Sequence, residues 1–412
     1  MSFATTSART VDAHRERVTE MLRPLAARPA EQVAVPAALG RRLAAEVRSP
    51  IDLPVFRNSA MDGYAVRAAE VLVAPVRLPV AGVVAAGAAG GDPLPPGAAL
   101  KVMTGAPIPP GADCVVPVED VRVDGAAIIV ERGRAAGEFV REAGTDVRAG
   151  AALIGAGTLL RPRHIAALAA VGLAEVGVLR EIRAAVITTG DELVPAASTL
   201  APGQIYDSNG VALAAALTAN GVRVVSVAHS TDSPDEFRRL LRAATEAADV
   251  VFTSGGVSKG DFEVVREVLA PLGGEFGSVA VQPGGPQGWS VVHGIPVLSF
   301  PGNPVSTMVS FEIFARPALR ELAGLSPVES HVVPLGDAIR SPAGRRQFLR
   351  GRVLRSTTPD SALSTPAPVA VEVISGAGSH LIAGMAAADA LIDVPAEVTA
   401  LPEGAPVRIW LL

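Results

Sequence analysis

Residues able to do chemistry gather in five short loops of this chain, each following an apolar run: TTGDE (188–192), HSTD (229–232), SGGVSKGDFE (254–263), QPGGP (282–286) and SFPGNPVS (299–306). Gly255-Gly256, Gly284-Gly285 and Gly302 let a ligand approach the backbone closely. Helices that start after such loops aim N–H groups at an anion. Asp191, Glu192, Asp232, Asp261 and Glu263 crowd the same loops and would repel that anion. A hard divalent cation resolves the conflict, because Mg²⁺ commonly bridges carboxylates and phosphate oxygens. With one cysteine, Cys114, and no histidine cluster, a softer metal has no obvious ligand set. Singly, each loop has a plainer explanation. TTGDE serves as a helix start with acids for the dipole, PGNP as a rigid turn, and SGGVSKG is neither a Walker A loop nor GxGxxG. Together they read as a metal-assisted anion site.

The elements around these loops explain how they could meet. From Arg183 to about Gly324 the text alternates strand and helix: AAVITTG, DSNGVALAAALTANG, VRVVSVA, SPDEFRRLLRAATEAA, DVVFTSG and FEVVREVLA, then GSVAVQ, SVVHG and PVLSF as further strands. PVSTMVSFEIFARPALREL is the last long helix. Ser233 reads as an N-cap, with Pro234 at the first helical position and Glu236 completing a capping box; Asn220-Gly221 closes the preceding helix. Repeated alternation implies a doubly wound, mostly parallel sheet, whose carboxyl edge is the expected ligand crevice. All five loops fall on that edge.

The rest of the chain divides around this domain. Residues 12–27 form an amphipathic helix with Val18, Met21, Leu22 and Leu25 on one face, and a second helix begins at His164. Between them, short β-branched runs and Gly/Pro turns read as an inserted β domain. The expected α/β multidomain architecture is a helical linking domain at residues 1–50 plus 150–180 whose two helices pair, and an inserted β domain at 51–149. A doubly wound substrate-binding domain at 181–326 and a small C-terminal β domain at 327–412 complete it. Within the last, GRRQFLRGRVLR places Arg350 and Arg352 on one face of a strand.

Composition excludes several functions. Two Tyr and two Trp give no stacking platform for single-stranded nucleic acid, and a net charge of −5 gives no general affinity for polyanions or acidic membranes. The N-terminus lacks the apolar core of a signal peptide, and no run reaches the length of a membrane span. The expectation is a soluble, cytoplasmic protein that binds neither nucleic acid nor membrane. Histidines 14, 164 and 380 read as packing or surface residues, and His229 has a slightly better claim to function.

NSAMDGYAV, KVMTGAPIPPGAD, TTGDEL, GQIYDSN, SGGVS and PGNPVS, in that order, resemble the molybdopterin molybdenumtransferase family, MoeA in bacteria and the E domain of gephyrin in animals. The resemblance implies a homodimer that acts on adenylylated molybdopterin and molybdate with Mg²⁺, releasing AMP and inserting molybdenum at the dithiolene. It implies an acidic set of Asp62, Asp146, Glu192, Asp232 and Glu263, of which Glu192, Asp232 and Glu263 would hold the metal. Asp207, Gly255, Gly256 and Ser258 would hold substrate, with Ser306, Arg350 and Ser379 on the oxyanion or pterin phosphate. The active site would combine the doubly wound domain of one subunit with the Asp62 region of the other.

Three departures from the family's pattern stand out. Glu263 replaces an aspartate, Gln282 and Gly285 replace two lysines, and Lys259 occupies a position that is usually small or apolar. Two readings of Lys259 are open: it restores part of the missing positive charge, or it points to solvent or pairs with a nearby acid. Two alternatives are a family-fold scaffold or binding protein with little catalysis, and an enzyme that inserts a related oxyanion such as tungstate. Retention of every acidic position favours the enzyme.

Overall fold

The computed structural model describes residues 8–87, 92–258, 263–355 and 368–412, in two units: Met1–Ala30 with Leu179–Leu412, and Glu31–Val178. The first unit is built on a six-stranded sheet. Its strands are β1 (Ile182–Thr189), β2 (Val222–Ser230), β3 (Val250–Ser254), β4 (Glu275–Ser278), β5 (Pro286–Val292) and β6 (Ile295–Phe300), in spatial order β2-β1-β3-β6-β5-β4. The first four in that order are parallel; β5 runs antiparallel to β6, and β4 to β5. The sheet is therefore mixed, with an antiparallel edge.

Side-chain alternation along the strands buries both faces. Ala184, Val186, Phe252, Leu298 and Phe300 pack into one core, and Ala185, Ile187, Val251 and Val297 into the other. Helices α2 (Asn209–Ala219), α3 (Pro234–Ala247), α4 (Val264–Leu269), α5 (Pro304–Ser310) and α6 (Arg316–Ala323) cover these faces. The doubly wound expectation holds. The long helix expected after PGNP is continuous from α5 to α6, but widens into a π turn at Phe311–Ala315. Helix α2 closes at Asn220 and Gly221, the latter at φ +75°, as expected.

The capping box expected on α3 is only half formed. The Ser233 hydroxyl accepts from the Glu236 N–H at 3.5 Å, while the Glu236 carboxylate takes the Thr231 N–H and hydroxyl at 3.1 and 2.5 Å. These bonds hold the Glu236 carboxyl below its usual range.

Helix α1 (Val11–Leu22) joins this first unit, with Val11, Val18, Met21 and Leu22 in the larger core. His14 is buried there against Phe314 and Trp289, and burial pushes its pKa down to about 3. The helix near His164, expected to pair with this one, belongs to the second unit. The later helix, Pro162–Ala170, contributes Leu168 to a separate cluster with Val35, Leu43, Leu160 and Val178 in the second unit. The segment expected at residues 1–50 is thus divided between the units. An amphipathic pattern specifies an apolar face, not the partner that covers it.

The C-terminal part of the first unit is a second sheet: β7 (Ser330–Pro334), β8 (Arg346–Arg355), β9 (Pro368–Val373), β10 (Ala390–Val394) and β11 (Pro406–Leu411). GSVAVQ, expected as one strand, is split between the two sheets. Glu275–Ser278 stays in the α/β sheet, whereas Val281–Gln282 pairs in parallel with Arg346–Gln347 of β8. That crossing carries the QPGGP loop to the place where both sheets supply residues.

The second unit contains a six-stranded sheet in the order Cys114–Pro117, Gly63–Val66, Ala99–Val102, Val76–Val84, Ala127–Val130, Val121–Asp124. Tyr64, Val66 and Val116 face one core and Ala65, Leu100 and Val115 the other. No helix among the described residues is long and apolar enough to cross a membrane.

Candidate active site

The five chemistry-bearing loops converge on one cleft of about 840 Å³ in the first unit. Glu192, Asp207, Asp232, Gly255, Gly256, Ser258, Glu263, Ser306 and Ser379 all line it. β1, β2, β3 and β6 point their carboxyl ends at the cleft, and α2 and α5 begin there. Ile205 and Tyr206, from a short strand ahead of α2, and His380 also line it and were missed in the sequence.

Glycine is required where the backbone turns against its neighbours. Gly255 has φ +99°, and a Cβ there would lie 2.6 Å from Thr189 Oγ1 and 2.7 Å from its carbonyl oxygen. Gly256, at φ +63°, would place a Cβ 2.9 Å from the Val265 backbone nitrogen. These contacts hold the loop that presents Ser258, whose N–H donates to Glu263 Oε2 at 2.7 Å. Behind the cleft, the Asn209 amide donates to Ser254 Oγ (2.9 Å) and the Gly302 carbonyl (2.7 Å). Thr307 Oγ1 donates to the Pro301 carbonyl at 2.6 Å and sits 3.1 Å from Ser254 Oγ. This buried polar network ties β3, β6, α2 and α5 together. It involves neutral residues that a search for charged groups overlooks.

The acids share one electrostatic neighbourhood. Withdrawal from water raises the Asp232 carboxyl above its ordinary value, and the charges of Asp191, Glu192 and Glu263 raise it further. A hydrogen bond from the Asp191 backbone to the Asp232 carboxyl is a partial offset, and the Asp232 N–H in turn donates to Asp191 Oδ1 at 2.9 Å. Among the described residues, no three His, Cys, Asp or Glu side chains form a ready-made metal cage. The donor set is nonetheless all carboxylate oxygen, which suits a hard cation, and its mutual repulsion is what such a cation would relieve.

The opposite wall differs in character. Ser306 opens the first turn of α5, and the Val305 N–H donates to the Ser379 carbonyl at 3.1 Å. Gln282, where lysine was expected, accepts from the Gln347 amide at 2.9 Å. Among the described residues lining the cleft there is no lysine or arginine, and His380 is the one basic side chain. Lys259 and Asp261 lie outside the described residues.

A model of the MoeA N-terminal region (domains I and II) matches residues 9–172, a probable molybdopterin binding domain matches 185–321, and the MoeA C-terminal region (domain IV) matches 332–412. Molybdopterin molybdenumtransferase 2 of Mycobacterium tuberculosis is 40% identical over 98% of this chain and 99% of its own length. The chain belongs to the molybdopterin molybdenumtransferase family. The molybdopterin molybdenumtransferase of Haemophilus influenzae is 32% identical over 90% of this chain and 91% of its own. The crystal structure of a molybdopterin biosynthesis MoeA protein from Pyrococcus horikoshii superposes with a TM-score of 0.82 at 32% identity. It covers 98% of this chain and 99% of that one.

Of the residues implied by resemblance to this family, Arg350 is placed differently from the rest. It does not line the cleft but is fully buried beneath the 375–380 loop. Its Nη2 donates to Ser375 Oγ at 3.1 Å and to the Gly376 and Gly378 carbonyls. Burial pulls its pKa down. Alternation along β8 placed it on the expected strand face, but the loop that folds over that face is invisible to strand periodicity. Arg352, two residues on, is exposed.

Asp62 and Asp146 belong to the second unit. Asp62 is exposed, and its Oδ1 accepts the Thr104 N–H at 2.6 Å and the Thr104 hydroxyl at 2.8 Å. These two bonds hold its carboxyl below the usual range. They also connect the NSAMDGYAV and KVMTGAP motifs physically. Next to Asp62, a Cβ on Gly63 would fall 2.3 Å from the Val116 carbonyl oxygen. Asp146 is exposed, and its N–H donates to the Leu53 carbonyl at 2.9 Å.

Proposed function

We propose that this molybdenum cofactor biosynthesis enzyme binds adenylylated molybdopterin in the first unit's cleft, cleaves its phosphoanhydride, releases AMP and transfers molybdenum from molybdate to the dithiolene. The observation that carries this reading is the pairing of walls in one cleft. Glu192, Asp232 and Glu263 line it as acids, with Asp232 raised by withdrawal from water and by the charges around it, and Ser306 and Ser379 line the same cleft as neutral donors. A phosphate or oxyanion suits the second wall, and a cation suits the first.

Glu192, Asp232 and Glu263 would hold Mg²⁺, which when bound supplies charge neutralisation at phosphate oxygens. The Gly255-Gly256 backbone and Ser258 orient the substrate, and Ser306 and Ser379 donate to the oxyanion or phosphate. Arg350 keeps the Gly376–Gly378 carbonyls in place under that wall. The reacting sulfurs belong to the substrate, so no nucleophile is asked of the protein. The proposed working form is a homodimer in which Asp62 and Asp146 of one copy complete the cleft of the other.

Mg²⁺ titration by calorimetry tests the acidic wall directly. Saturable binding that is lost in Glu192→Gln supports the assignment; equal binding by both proteins contradicts it.

A further inference from the structure

We propose that His229 is a positioning residue that acts through Thr188 to hold Asp207 as an acceptor for a donor group of the substrate. The inference deepens the function proposed above and rests on it. Thr188 and His229 are register partners on the parallel strands β1 and β2. Thr188 Oγ1 lies 2.7 Å from Asp207 Oδ2 and 3.4 Å from His229 Nδ1.

A hydroxyl has one proton to give, and two acceptors would compete for it. The carboxylate is both nearer and charged, so it takes the proton. His229 Nδ1 then faces the Thr188 oxygen, and the tautomer that satisfies this contact carries its hydrogen on Nδ1. The chain of donation runs from His229 through Thr188 to Asp207.

The second carboxylate oxygen is also anchored, since Asp207 Oδ1 accepts the Gly210 N–H at 3.0 Å in the first turn of α2. A Cβ on Gly210 would lie 2.8 Å from Asp207 Oδ2 and 3.3 Å from Thr188 Cγ2, so only glycine admits this packing. Asp207 lines the cleft, whereas Thr188, fully buried, and His229 stand behind it. A carboxylate held by one donor on each oxygen keeps lone pairs for a ligand. The ligand chemistry it fits is an N–H or O–H donor, such as the amino edge of a heterocycle or a ribose hydroxyl.

The test measures binding of AMP, molybdopterin and adenylylated molybdopterin to the full chain, together with KM and kcat. Thr188→Val removes the hydroxyl at constant shape, and His229→Leu removes the ring donor. Both are expected to weaken adenylylated molybdopterin by about tenfold, with the loss in KM rather than in kcat. Thr188→Ser and His229→Asn, which return a hydroxyl and an N–H, are expected to recover most of it. A matching loss for AMP alone assigns the donor to the nucleotide, and for molybdopterin alone to the pterin. Unchanged affinity in Thr188→Val with a wild-type melting temperature overturns the relay, as does a loss that the conservative variants leave uncorrected. Failure of the wild-type chain to bind adenylylated molybdopterin overturns the proposed function instead.

Discussion

Replacing Asp232 by asparagine is expected to make the metal-free protein more stable and the enzyme less active. The Asp232 carboxyl is raised above its ordinary value of 3.8 because it is partly withdrawn from water and senses Asp191, Glu192 and Glu263. At a solvent-accessible edge each like-charge pair costs a few tenths of a kcal/mol after screening, so three such pairs come to ~1 kcal/mol. Asparagine keeps the side-chain shape and the backbone donation to Asp191. For a domain of this size ~1 kcal/mol corresponds to about 2–4 °C in Tm. The pH dependence has a definite sign. A folded pKa above the unfolded one means that stability is lost as pH rises through the folded value, and nothing is lost below the unfolded value. The gain in Asp232→Asn should therefore be full near neutral pH and shrink towards about pH 4. Thermal melts across that range measure it, with AMP release followed in parallel. A variant that is less stable at neutral pH, or whose gain is independent of pH, refutes the reasoning.

Four further outcomes are expected. Glu192→Gln should reduce AMP release by at least about tenfold, and chelation of the wild type should do the same, while melts show an intact fold; full activity in excess chelator contradicts the role given to these carboxylates. Gly255→Ala, forced to φ +99° against Thr189, should lose about 1–3 kcal/mol in urea unfolding. Gly302→Ala, whose Cβ would meet Gly255 Cα at 3.4 Å and its N at 3.9 Å, should stay within about 1 kcal/mol. Asp62→Asn and Glu192→Gln subunits, inactive separately, should regain activity when mixed and exchanged; mixed dimers that form and remain inactive would rule out a shared site.

The sequence made the α/β core and its cleft legible because both depend on local pattern. Short apolar, β-branched runs such as AAVITTG and DVVFTSG set strands buried on both faces, and carboxyl-edge loops followed from the parallel order. What escaped were features decided by distant packing. Helix α1 shows its apolar face but not that Phe314 and Trp289 cover it. Val281–Gln282 reads as strand, with nothing local to assign it to the second sheet. Glu236 has the spacing of a capping box, yet the Thr231 donors win its carboxylate. Arg350 was expected on the oxyanion or pterin phosphate and is found buried under the 375–380 loop, part of which lines the cleft. His229 carried a weak signal in its place just before Asp232, and only the register of β1 with β2 reveals its contact with Thr188.

A single-turnover experiment tests the central claim most directly. The purified chain is mixed with adenylylated molybdopterin, Mg²⁺ and molybdate, and AMP release and protein-bound molybdenum are followed together. The account predicts that both appear, that both require Mg²⁺, and that Glu192→Gln suppresses both. Substrate that remains intact with molybdate and Mg²⁺ in excess, in a protein that binds it tightly, would contradict the account and favour a binding role for the cleft.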